Sequence, residues 1–119
     1  MTYVDGFVLP IQKRNLGKYT KIAKKACEIW MDHGALDYKE CVGDDLKIEC
    51  VFPFSKLARL RKGEVVVFAF ITYKSRAHRD AVNKKVFKDP RIHEMGCSGP
   101  MPFDMKRMSC AGFKTIVEP

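Results

Sequence analysis

The sequence predicts an α+β domain of the ferredoxin-like type, with the element order βαββαβ and one four-stranded antiparallel sheet. The chain has 119 residues, of which 46% are hydrophobic, enough for one core and hence one domain spanning residues 1–119. Two segments show the three- and four-residue spacing of amphipathic helices, and four are rich in β-branched or alternating apolar residues. Their order along the chain is that of the split βαβ arrangement.

The first two elements are a strand and a long helix. Residues 3–11 combine aromatic and β-branched types, which favours a strand that Pro10 ends or leaves at an edge. Asn15 is the expected N-cap of the helix. Its apolar stripe consists of Leu16, Tyr19, Ala23, Ala26, Cys27 and Trp30. Gly34 is predicted to close the helix.

The middle of the chain carries the second and third strands. Residues 35–42 alternate as a half-buried strand does, and a turn at residues 43–45 follows. Residues 47–52 are expected to return as a short irregular strand, and Ser55 to cap a single helical turn. Residues 64–73 are the strongest predicted strand.

The last third of the chain contains the second helix and the last strand. Ser75 is predicted to cap a helix that runs to about Lys88 and ends at Asp89-Pro90. Residues 91–104 are rich in Gly and Pro and are expected to form a loop. Residues 106–117 are predicted to be the final strand.

Both faces of the predicted sheet are apolar. On the third strand, Val65, Val67, Ala69 and Ile71 oppose Val66, Phe68 and Phe70. Two helices cover only one face, so about five large side chains remain on the other, and burying them is worth roughly 8–15 kcal/mol. That is comparable with the whole stability of a small domain, ~5–15 kcal/mol. The pattern therefore predicts a homodimer in which the open sheet faces meet.

The charge balance is basic, with 22 Lys and Arg against 14 Asp and Glu, a net charge of +8. Such a surface attracts polyanions, which keeps a nucleic-acid-binding module as an alternative. The basic residues cluster on predicted helices, and a solvated helix face is the favoured explanation of them. No aromatic RNA-binding motif or zinc-finger spacing accompanies them.

The remaining composition argues for a cytoplasmic protein without a metal or cofactor. Five cysteines in uneven spacing, without a CxxC pair, fit neither a disulfide framework nor a zinc site. The three histidines, His33, His78 and His93, lie far apart in sequence. Residues 65–71 form the longest apolar run, too short to span a membrane, and the first residues do not resemble a secretion signal.

Several motifs along nearly the whole chain carry a family resemblance. They are Tyr3-Val4-Asp5-Gly6-Phe7-Val8, Gly34-Ala35-Leu36, Arg79-Asp80, Met101-Pro102-Phe103-Asp104 and Gly112-Phe113. The chain resembles the YbaA-like family of bacterial proteins, within the dimeric α/β-barrel superfamily. The resemblance implies ferredoxin-like domains that pair sheet to sheet and enclose a cavity. It implies no catalytic residues, because the family has no established activity and the superfamily hosts many.

Two carboxylates in apolar strands are the candidate catalytic groups. Asp5 lies in the first strand and Glu40 in the second, and an apolar cavity would raise the pKa of either. Arg107 is a candidate for orienting an anionic ligand, and Tyr3 and Phe68 complete the candidate ligand-binding set. Alternatively, Asp5 or Glu40 pairs with Arg107 or Lys39 and only sets the strand register.

The resulting hypothesis is a dimer that binds a small, partly apolar or anionic organic ligand in or beside the barrel cavity. If it is an enzyme, Asp5 or Glu40 would transfer protons without a cofactor. The nucleic-acid-binding module and a structural or regulatory dimer without a ligand are the alternatives.

Overall fold

The computed structural model describes residues 1–97 and 99–119, which form a ferredoxin-like α+β domain, as the sequence predicts. One antiparallel sheet has the strand order β2-β3-β1-β4. Its strands are β1 (Tyr3–Gln12), β2 (Asp37–Val42), β3 (Glu64–Tyr73) and β4 (Ser109–Lys114). The two long strands are central and the two short ones form the edges.

The helices of the described residues are α1 (Leu16–Asp32), α2 (Phe54–Leu57), α3 (Arg76–Lys88) and α4 (Pro90–Cys97). Gly34 follows α1 with a φ of +108°, and the Ser75 hydroxyl accepts from the His78 N–H at the start of α3, both as predicted. Short 3₁₀ turns lie at Lys13–Asn15 and Met105–Arg107. Among the described residues, every helix is too short or too polar to cross a bilayer.

The sheet register decides which side chains meet the helices. Phe7 pairs with Ala69 and Leu9 with Val67, so the odd-numbered residues of β1 and β3 share one face. That face packs against α1 and α3 through two buried clusters. The clusters contain Ile29, Ala35, Ile71, Tyr73, Val82 and Val86, and Leu9, Ile11, Tyr19, Ala23 and Val67.

Four local predictions were wrong. Ser55 does not cap α2, because it lies inside that helix, whose N-cap is Pro53. Residues 91–104 do not all form a loop, because Pro90 opens α4 and its apolar residues Ile92 and Met95 pack on the core. Residues 47–52, all of them described, contain no strand, since a φ of +66° at Cys50 turns the chain. Asn15 does precede α1, but its amide donates to the carbonyl of Pro102 (3.3 Å).

The face of the sheet turned away from α1 and α3 is apolar and only partly covered. Its large side chains are Val4, Val8, Val66, Phe68, Phe70 and Phe113. The segment between β2 and β3 shields part of it: Phe54 packs edge-on against Phe68, and Val66 is buried. Phe68 remains 44% exposed and Phe113 58% exposed. The structure therefore confirms the prediction that the second face of the sheet is apolar and partly exposed in the single chain.

Candidate functional site

A cavity of about 750 Å³ lies between the helix-facing side of the sheet and the helices α1, α3 and α4. All four strands contribute to its floor, and residues between 101 and 108 close one side. The walls are mainly apolar and aromatic, including Phe7, Trp30, Phe87, Ile92, Met95 and Phe103. The cavity thus lies on the helix side of the sheet, not between the open sheet faces of two subunits.

Asp5 forms one polar end of the cavity. It is only 5% exposed, and its Oδ1 accepts a hydrogen bond from Arg79 Nη1 at 2.6 Å. The Asn83 amide also directs a hydrogen bond to the carboxylate, and the Tyr73 hydroxyl lies beside it. Burial raises the pKa of Asp5 above its ordinary value, and the Arg79 charge opposes that rise. The carboxylate is therefore held by several donors within the fold.

Arg79 is fixed on three sides. Its Nε donates to Asp80 at 2.7 Å, and its guanidinium carbon lies 5.0 Å from the centre of the Tyr3 ring. The Tyr3 ring in turn lies across Gly112, where an added Cβ would come within 2.2 Å of the phenol oxygen. Tyr3 therefore packs against Arg79 and supports its ion pair with Asp5, and it is not among the lining residues of the cavity.

Glu40 forms the second polar group of the cavity. The Tyr19 hydroxyl donates to its Oε1, and the Tyr38 hydroxyl donates to its Oε2 at 2.7 Å. Burial, together with the Glu40 carboxylate, raises the pKa of both phenols, so both remain protonated donors. A carboxylate has about four acceptor positions, so Glu40 can still accept hydrogen bonds from a bound molecule.

An indole–amide contact links the aromatic wall to Asp5. Trp30 Nε1 donates to Asn83 Oδ1 at 3.1 Å, and the Tyr73 hydroxyl reaches the same oxygen at 3.3 Å. Because the side-chain oxygen of Asn83 accepts from these groups, its amide nitrogen points the other way and donates to Asp5. The network fixes the orientation of Trp30 at the cavity wall.

The structure brings the two candidate carboxylates into one cavity. Asp5 and Tyr38 both pair with Ile71, and Glu40 lies two residues beyond Tyr38 on the same face. Strand spacing and rise place the Cα atoms of Asp5 and Glu40 about 12 Å apart. They are therefore two separate polar positions, and neither repels the other directly.

The other candidates lie elsewhere. Phe68 is on the open sheet face. Arg107 donates to Glu64 Oε2 at 2.5 Å and to the Arg59 carbonyl at 2.6 Å. Lys39 pairs with Asp37. The ion pairs that the sequence suggested with Arg107 or Lys39 are therefore not formed: Asp5 pairs with Arg79, and Glu40 accepts hydrogen bonds from two phenols.

Sequence reasoning missed four residues of the site: Arg79, Asn83, Tyr19 and Tyr38. In the sequence, Tyr19 belongs to the apolar stripe of the first helix, and Tyr38 is one position of an alternating strand, so neither indicates a site. Arg79 and Asn83 are four residues apart on α3 and so share a helix face, which was a usable signal. Pairing either of them with Asp5 required the tertiary structure.

Two of the three histidines, His33 and His78, lie near the ends of helices. His33, at the C-terminus of α1, contacts Asp89 Oδ2 at 2.7 Å, and Asp89 also binds Arg91. His78 is half-buried, and its Nδ1 accepts a hydrogen bond from the Lys74 N–H. Within residues 1–97 and 99–119, His, Cys, Asp and Glu side chains form no group of three or more suited to a metal ion.

Comparisons with known proteins identify relatives along the full chain. A family model described as "Protein of unknown function (DUF1428)" matches residues 2–105. The chain is 40% identical over 118 residues to "Uncharacterized protein YbaA" of Escherichia coli K12 and of Shigella flexneri, covering 99% of each chain. A crystal structure of a NIPSNAP family protein from Agrobacterium tumefaciens shares the fold, with a TM-score of 0.56 and 14% identity. That match covers 98% of this chain and 89% of the other.

Proposed function

Since the chain belongs to the DUF1428 family, whose function is unknown, we propose its function from the cavity alone. The protein binds a small, mainly apolar organic molecule between the sheet and the helices of each subunit of a homodimer. The observation that carries this proposal is a cavity of about 750 Å³ with aromatic walls and two separate carboxylates.

The size and lining of the cavity suit a small ligand. Binding pockets for such molecules typically measure about 300–1,000 Å³ and combine apolar walls with a few polar groups. The polar groups of this cavity are held in place by hydrogen bonds within the fold, which is the preorganisation that ligand recognition needs.

The apolar face of the sheet that is turned away from the helices supports the proposal of a homodimer. Phe68, Phe113 and their apolar neighbours form a patch that a second copy would bury. The single chain is flat, 40 × 38 × 20 Å, and its radius of gyration of 15.2 Å exceeds the roughly 13.5 Å typical of a compact domain of this length. A two-fold arrangement places the same patch on both partners and so closes it.

The cavity can be tested through Trp30, the only tryptophan, which gives one indole N–H signal in an NMR spectrum. Titration with the neutral probe 2-phenylethanol is expected to shift this signal saturably. Ala26 lines the cavity on α1, so Ala26→Phe should fill it and reduce the response at least about tenfold.

The matched control is Ala81→Phe, because Ala81 is exposed on α3. This variant should respond as the unmodified protein does. The proposal is overturned if 2-phenylethanol leaves the indole signal unchanged up to its solubility limit, or if both variants bind equally well.

A further inference from the structure

We infer that the cavity selects an organic cation, an aromatic or alkyl amine whose ammonium group binds at Glu40. This inference rests on the proposed function and names the ligand class for the same cavity. It differs from the anionic ligand that the sequence suggested through Arg107, which the structure pairs with Glu64.

The charges lining the cavity are unbalanced. Among the described lining residues there are two carboxylates, Asp5 and Glu40, and one basic group, Arg79. Arg79 is already paired with Asp5, at 2.6 Å, and with Asp80, at 2.7 Å. In residues 1–97 and 99–119, no Lys, Arg or His nitrogen lies within 4 Å of a Glu40 oxygen. One negative charge therefore faces the cavity unneutralised, in a chain whose net charge is +8.

The hydrogen bonds that the Glu40 carboxylate accepts from the fold come from neutral groups. Each of its oxygens accepts a phenol hydrogen, one from Tyr19 and one from Tyr38. The phenols cannot neutralise the charge, because they supply hydrogen bonds without a positive charge. An ammonium group supplies both, in hydrogen bonds that are shorter and stronger than neutral ones.

Each of the two phenols that donate to this carboxylate packs against a further aromatic ring of the cavity wall. Phe103 packs edge-on against Tyr19 with ring centres 5.6 Å apart, and Trp30 lies 6.3 Å from Tyr38. Rings arranged around a cation attract it through their negative faces, and indole does so most strongly. The same rings would offer an anion no compensation for approaching Glu40. Charge and wall chemistry thus favour the same class of ligand.

The experiment compares three probes of similar shape by the Trp30 indole signal and by calorimetry: 2-phenylethylamine, 2-phenylethanol and phenylacetate. The amine is expected to bind at least about tenfold more tightly than the alcohol, and the acid more weakly than both. Glu40→Gln, which retains a hydrogen-bonding partner for each phenol, should abolish the preference for the amine and leave alcohol binding within about twofold.

The matched control is Glu28→Gln, which removes the same charge from an exposed position of α1 outside the cavity. It should retain the amine preference, and thermal melts should show both variants folded. If the alcohol or the acid binds as tightly as the amine, or if Glu40→Gln retains the preference, the cation inference fails while cavity binding stands. If none of the probes binds, the proposed function fails, and the inference fails with it.

Discussion

The guanidinium of Arg79 lies 2.6 Å from the carboxylate of Asp5 and so joins α3 to the central strand β1. Asp5 is among the buried residues of the fold and points toward the helices. An isolated charge at this position would be costly, and the nearby guanidinium offsets that cost. Asp5 is therefore a positioning residue that orients one wall of the cavity.

The variant Asp5→Asn tests this role. It leaves the partly buried Arg79 with a weaker partner, so the free energy of unfolding should fall by about 1–3 kcal/mol in urea titrations. Binding of 2-phenylethylamine should remain within about twofold. The control is Asp80→Asn, which removes a carboxylate from the same guanidinium at a side chain 61% exposed, and should cost under about 0.5 kcal/mol. Loss of binding at unchanged stability in Asp5→Asn would instead make Asp5 a ligand contact.

Acid stability should depend on Asp89. Hydrogen bonds from Arg91, and to a smaller extent from His33, lower the pKa of Asp89 below its ordinary value of 3.8. A carboxyl group with a lowered folded-state pKa stabilises the fold above the unfolded pKa, and this contribution is lost as the pH falls further. The stability advantage of the unmodified protein over Asp89→Asn should therefore narrow between pH 6 and pH 2.5, measured by urea midpoints. If the difference in stability between the two proteins did not change with pH, the charge of Asp89 would not contribute to the stability of the fold.

Two glycines give opposite expectations for the same substitution. Gly112→Ala places a Cβ 2.2 Å from the Tyr3 oxygen and must displace the ring that packs on Arg79, at a cost of about 1–2 kcal/mol. Gly17→Ala, in the first turn of α1, meets nothing within 4 Å and should stabilise by about 0.5 kcal/mol. The melting temperatures of the two variants, each compared with that of the unmodified protein, test these expectations. Equal changes would mean that Tyr3 is not held where the structure places it.

The homodimer proposal is tested by two exposed phenylalanines on opposite sides of the molecule. Phe113 is 58% exposed on the open sheet face, and Phe87 is 59% exposed on α3. Phe113→Lys should shift the protein from dimer to monomer in sedimentation experiments at micromolar concentration, because a buried ammonium opposes pairing. Phe87→Lys should remain dimeric. The unmodified protein sedimenting as a monomer, or Phe113→Lys as a stable dimer, would refute pairing through this face.

Strand and helix patterning predicted most of the fold because residues 64–73 and the stripe of the first helix are strongly periodic. The bounds of β3 and the cap at Ser75 were confirmed by the structure. The helix α4 was missed because it spans only eight residues and includes Gly96, so composition outweighed the spacing of Ile92 and Met95. Its packing on the core is a tertiary effect that no local window contains.

The candidate site could be predicted only in part. Asp5 and Glu40 stood out because a carboxylate in an apolar strand is unusual. Their partners come from the helices, and helix-to-strand pairing depends on how α1 and α3 lie on the sheet. The basic residues Lys18, Lys21, Lys24 and Lys25 are exposed on α1, as the solvated-face interpretation expects, and nucleic-acid binding remains a prediction from charge alone.

The most direct test is a crystal structure of the protein grown with 2-phenylethylamine. The account predicts the phenyl ring in the cavity near Trp30 and the ammonium nitrogen within about 3 Å of a Glu40 oxygen. A cavity closed by its own side chains, with the amine absent or bound only on the outer surface, would contradict it.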